Sequence, residues 1–263
     1  MDKILVIMQK EWREIRQQRT LMLTILIPPL LFTLIPIVAM SLIGQIPTSA
    51  TNISTSNVST AITALANMSQ HEIAQALIGM QMSILYILLP AILTSVIASY
   101  SIVGEKTSRT LEPLLATPIK TWELLVGKSL AALLPAIIAT WLGGGIFIGS
   151  VALLAVSSRV FAAIISPGWL IVFLLWTPAL ALIAIAMMVA VSSRVNDPRT
   201  AQQFSVILII PFLGLFVGQI TGLLVLGPTF ALTVFVVLLA LAALSIWIVT
   251  QLFQREIILT RWK

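Results

Sequence analysis

The sequence of 263 residues contains no cysteine, which excludes disulfides, thiolate-held iron–sulfur clusters and cysteine nucleophiles from it. Histidine occurs once, at His71, and a lone histidine in a polar loop reads as a solvated side chain. No Gly-x-x-x-x-Gly-Lys-Ser/Thr phosphate loop is present, so ATP is not bound by that route; Gly104-Glu105-Lys106 and Gly127-Lys128 are too short to replace it. No His-Glu-x-x-His motif and no intramembrane aspartate are found, which argues against membrane proteolysis. Charge itself is scarce, at 9% of residues.

The scarcity has a pattern. Six apolar stretches carry no Asp, Glu, Lys, Arg or His: Leu21 to Ile43, Leu77 to Val103, Ser129 to Val156, Trp169 to Val191, Phe204 to Leu226 and Thr229 to Phe253. A bilayer core of about 30 Å needs roughly 20 apolar residues at 1.5 Å each, so every one is long enough to span. Lys3, Lys10, Arg13, Arg16 and Arg19 precede the first stretch. Lys106, Arg109, Lys120 and Lys128 follow the second, Arg194 and Arg199 the fourth, and Arg255, Arg261 and Lys263 the sixth. Arg159 is the one cation in the alternate segments. Cations gather on the cytoplasmic side of membrane proteins, so the pattern predicts six spans with both termini in the cytoplasm of a cell (inner or plasma) membrane. The net charge of +6 is then a topology signal that favours anionic lipid headgroups, with no nucleic-acid partner implied. The first stretch is too long for a cleavable signal and is expected to stay in the chain.

The expected fold is an all-α membrane protein forming a single transmembrane domain over 1–263. Residues 1–20 read as an amphipathic interfacial helix, with Ile4, Leu5, Met8, Trp12 and Ile15 on one face and Lys3, Lys10, Arg13, Glu14 and Gln17 on the other. The outer loop, 44–76, is rich in Ser, Thr and Asn, with a short helix expected near Ile73. Asn52, Asn57 and Asn67 each open an Asn-x-Ser triplet there, of a kind that also arises by chance. Prolines at 28, 29, 36, 90, 135, 178 and 211 bend or weaken the spans, and neighbouring helices or Ser/Thr side chains must satisfy the carbonyls they free. Gly143, Gly144, Gly145 and Gly149 are expected to make one face of the third span small.

Ion-coupled carriers place ionisable groups at membrane depth, and these stretches place none. Their more polar groups are Tyr86, Ser95, Ser99, Tyr100, Thr140 and Gln219, a poor proton relay. The energy for any transport must therefore come from outside the spans. The loop 104–128 is suited to receive it. Thr110 caps a short helix, Glu112 sits at the positive end of its dipole, Pro113 lies in its first turn and Pro118 ends it. Leu111, Leu114 and Leu115 share a face, as docking into a partner's groove requires. A second cap at Thr117 with Pro118 then opens the helix of the third span, carrying Trp122 at the interface and Lys120 and Glu123 in water.

The run Glu105-Lys-x-x-x-Thr110-Leu111-Glu112-x-Leu114-Leu115-x-Thr117-Pro118, followed by Glu123 and Gly127-Lys128, resembles the cytoplasmic signature of the type-two ABC transporter permeases, including their sodium- and drug-export branch. The second inner loop, with Arg194, Asn196, Asp197, Arg199, Ala201, Gln202 and Gln203, is similar to the same family, and Arg109 stands where that family usually has Gly. The resemblance implies a membrane subunit of an exporter, not itself an enzyme. It implies a second permease copy, identical or related, and a separate ABC ATPase that holds ATP and Mg. It also implies a short cytoplasmic coupling helix around Leu111, Leu114 and Leu115, with Glu105, Arg109, Glu112 and Glu123 as polar contacts, and Arg194, Asp197 and Arg199 in a second inner contact. No catalytic, metal or cofactor-binding residue is expected on this chain. The alternative reading is a non-transporting membrane anchor or regulator of such an ATPase. The uncharged spans favour a lipid-like, amphipathic or drug-like cargo, or a sodium ion held by carbonyl oxygens.

Overall fold

The computed structural model describes residues 2–44, 65, 68–103, 121–192, 195, 197, 200, 203–204, 206–220 and 227–252. Among them the regular structure is helical, with no strand. The helices are α1 (Asp2–Gln17), α2 (Arg19–Gly44), α3 (Gln70–Ser83), α4 (Leu85–Ala98), α5 (Thr121–Leu154), α6 (Ser158–Ile164), α7 (Pro167–Ile171), α8 (Thr177–Ser192), α9 (Val206–Ile220) and α10 (Pro228–Leu252). Two π-helical turns, Ser99–Val103 and Val172–Trp176, join α4 to the loop that follows and α7 to α8.

Five helical stretches are long and apolar enough to cross a membrane: Arg19–Ile43, Gln70–Ser101, Glu123–Leu154, Pro167–Val191 and Pro228–Val249. They match five of the six expected spans. The remaining one, expected over 204–226, is helical over Val206–Ile220, and 221–226 lie outside the described residues. The even count of crossings rests on the charge pattern.

The second span is central, with 78% of its most apolar window buried, whereas the sixth is peripheral, with 6%. The fourth span packs against both the second and the sixth, and its buried Ala179, Ala181, Ala184 and Ala186 are small residues of the kind that let helix backbones approach closely. The outward faces of α2, α5 and α10 are large and apolar, for example Leu30, Leu142 and Val236, as lipid contact requires.

The second span begins seven residues before its expected start at Leu77, and the reason is a capping box. The Ser69 hydroxyl accepts from the Glu72 N–H, and the Glu72 carboxylate accepts from the Ser69 N–H at 2.8 Å. This helix draws in His71, which is buried, contrary to the solvated loop residue expected; its Nδ1 has no hydrogen-bond partner among the described residues. Asn52, Asn57 and Asn67 lie outside the described residues.

Gaps in the helical ladders are filled by side chains from other elements. At the α3–α4 junction the Ile87 N–H turns to the Ile84 carbonyl, and the Ser83 carbonyl accepts from the Trp169 indole at 3.3 Å. Pro135 cannot donate to the Ala131 carbonyl, and the Trp12 indole of α1 does so instead at 3.1 Å. At the far end of the bundle Gln75, fully buried, donates to the Leu154 carbonyl where α5 stops and accepts from the Val156 N–H, both at 2.9 Å.

The glycines of the third span do not share one face, because successive residues of a helix are 100° apart. Gly143 lies against Thr33, Tyr86 and Pro29, and Gly144 against the Phe173 ring, while Gly145 and Gly149 face open space. Phe173 in turn stacks on Trp169, with centroids 5.0 Å apart and ring planes 5° apart.

Candidate coupling site

Of the expected coupling residues, Glu105, Arg109, Leu111, Glu112, Leu114 and Leu115 lie outside the described residues, as do Arg194 and Arg199. The expected helix starts at Thr110 and Thr117 lie outside them too. Glu123 is described, in the first turn of α5, where its charge suits the helix dipole; it is 18% exposed and lies 4.0 Å from the Lys3 ammonium of α1. Asp197 is exposed, and its carboxylate accepts from both the backbone N–H and the hydroxyl of Thr200 at 2.9 Å. Of the expected contact residues, one from each of the two loops is therefore described.

What the structure adds is the frame around the first loop. The last residue described before the loop, Val103, ends a π-helical turn, and the first after it, Thr121, begins α5. Helix α1 packs along the base of α5, close enough that a β-carbon on Gly127 would lie 2.9 Å from Ile7. Its packed stripe is Ile7, Glu11 and Ile15, flanked by Ile4, Met8 and Trp12. The expected apolar face is thus turned: Leu5 is exposed, and Glu11, which hydropathy places in water, is inside.

Glu11 is held there by Lys128. The Lys128 ammonium donates to Glu11 Oε1 at 2.8 Å, and the two side chains are 4% and 3% exposed. Ser101, in the π-helical turn, donates its hydroxyl to Glu11 Oε2 at 2.6 Å. The ammonium also donates to the Ser101 carbonyl at 3.1 Å and to its hydroxyl oxygen at 3.3 Å. Lys10 lies 4.0 Å from the same carboxylate and 3.3 Å from Glu14. Both carboxylate oxygens and the ammonium are therefore partnered, which is what makes a buried ion pair tolerable. In the sequence Lys128 reads as one of the inner cations and as part of the family-like run, while Glu11 carries no marked role. The only signal was that Glu11 sits four residues after Ile7 and four before Ile15, on a helix stripe otherwise apolar.

Toward the middle of the bundle the polar groups are hydroxyls. Tyr86 donates to Thr33 at 3.0 Å, Thr33 donates back to the Pro29 carbonyl, and Thr140 donates to the Ala136 carbonyl. Thr94 and Ser95 are buried with no hydrogen-bond partner among the described residues. No group of three or more metal-ligating side chains occurs among the described residues.

Five apolar helices of membrane-crossing length define a multi-pass membrane protein. Residues 5–239 match the family model described as ABC-2 family transporter protein, and the chain belongs to that family. No curated protein was found to match it.

Proposed function

We propose that the chain is the membrane-spanning permease subunit of an ATP-driven exporter, with ATP and Mg held and hydrolysed by a separate ABC ATPase. The observation that carries this reading is the family match over residues 5–239 in a chain that contains no phosphate loop. The ATPase docks on the loop 104–128 through Leu111, Leu114 and Leu115, with Glu105, Arg109, Glu112 and Glu123 as polar contacts, and Arg194, Asp197 and Arg199 form a second contact. A second permease copy, identical or related, completes the pathway. Both termini lie in the cytoplasm of the cell membrane, as the cation pattern indicates. The cargo is amphipathic, because between the charged cluster of Glu11 and Lys128 at one end and His71 and Gln75 at the other the buried groups of the bundle are hydroxyls, indoles and apolar side chains.

The test is reconstitution with the ATPase in nanodiscs and in sealed vesicles, screening for compounds that stimulate hydrolysis. Leu114→Asp should reduce both substrate-stimulated hydrolysis and transport to background, because a charge replaces an apolar contact at the docking face. Loss of ATPase binding with no effect on any cargo would favour the anchor reading. Transport by the chain alone, without ATPase, would sink the proposal.

A further inference from the structure

We infer that Glu11, Lys128 and Ser101 form a clasp that stays closed through the transport cycle and makes α1 and both flanks of the loop 104–120 one mechanical unit. The inference rests on the permease reading above and assigns positioning roles to residues outside the docking contacts.

Three elements meet at one carboxylate. Glu11 comes from α1, Ser101 from the turn that ends the second span, and Lys128 from the second turn of α5. Ser101 and Lys128 lie on opposite sides of the loop in sequence and are themselves bonded at 3.1 Å. A push on the loop is thereby delivered to the second and third spans together. Without the clasp it would bend one flank against the other.

Opening the clasp would strand a carboxylate and an ammonium in a site that excludes water, and each would lose every hydrogen bond just described. Around it the fit is tight: Ile7 fills the space above Gly127, and Trp12 holds the carbonyl that Pro135 leaves free. A joint of this kind transmits displacement better than it hinges. The central second span then carries the motion toward Gln75, which ties that span to the far end of α5.

Because the chain lacks cysteine, an introduced cysteine can be labelled on the isolated chain before assembly with the ATPase. A fluorophore on Ser158→Cys, at the opposite end of the bundle, reads ATP-dependent movement in the complete complex with its ATPase. In Glu11→Gln the ATPase should still bind and hydrolyse ATP, while the amplitude of the Ser158→Cys signal falls by about fivefold or more. The exchanged pair Glu11→Lys with Lys128→Glu should restore it. Ile7→Cys with Gly127→Cys tests closure directly, since their β-carbons would lie 3.0 Å apart before adjustment, near disulfide range. Oxidising that pair should leave the ATP-dependent signal intact.

An unchanged signal in Glu11→Gln, or a signal abolished by oxidising the Ile7→Cys/Gly127→Cys pair, overturns the inference. If Glu11→Gln does not fold, the oxidised pair alone decides. A parent complex in which the ATPase never binds overturns the permease reading first, and that outcome is seen before any clasp variant is made.

Discussion

Gln75 shows how one side chain can settle a helix end inside a membrane protein. Its amide satisfies the Leu154 carbonyl and the Val156 N–H with both of its functional atoms, from a side chain that is itself fully buried. Replacing it with leucine keeps the volume and removes these two bonds together with the longer one, 3.5 Å, that its amide donates to the Met40 carbonyl. We expect Gln75→Leu to destabilise the folded protein by about 2 kcal/mol, since buried unpaired backbone groups cost about 1–3 kcal/mol each and some relaxation will follow. Thermal unfolding in nanodiscs measures this, and an unchanged midpoint would refute it. Nothing in the sequence marks Gln75 for that role, because its partners are 79 and 81 positions away. Glu11 was hidden for the same reason: with Lys10 and Glu14 beside it, it looks like part of a solvated charged face until Lys128 is brought to it from 117 residues further on.

Among the elements, α5 is where small residues decide the packing. A β-carbon at Gly144 would collide with the Phe173 ring, and that ring is held by stacking on Trp169. Gly144→Ala should therefore cost about 1–3 kcal/mol, the usual scale of overpacking. Gly145→Ala meets nothing within 4 Å and should be neutral or stabilising by up to about 1 kcal/mol, the difference in helix propensity. Unfolding of the two variants side by side checks the contrast; equal effects would mean that Phe173 yields freely. The glycine run announces a close approach, yet which glycine makes it depends on the rotation of α5 about its axis. The prolines are similar. Their positions are plain in the sequence, but the use of an indole from α1 to satisfy the carbonyl freed by Pro135 is a tertiary arrangement.

On the scale of the whole molecule, the bundle has two polar ends. One carries Glu11, Lys128, Lys3 and Glu123, and the other carries Gln75, His71 and the capping box of Glu72. In the topology proposed from the cation pattern, the first end faces the cytoplasm. In the cysteine-free background, Lys3→Cys should react with a membrane-impermeant maleimide only after cells are opened, and Ser158→Cys should react in intact cells. The reverse result would invert the topology and remove the ATPase from reach of the loop 104–128.

Five of the six expected apolar spans and the kinship with the ABC-2 transporters are legible in the sequence, because spanning length and a local motif are properties of single segments. Burial of Glu11, His71 and Gln75, the division of the glycines between two faces, and the central place of the second span are decided by tertiary structure. A helix segment can state that it will leave water, but which of its sides meets a neighbour is fixed only when the neighbours' carbonyls, rings and charges compete for that side.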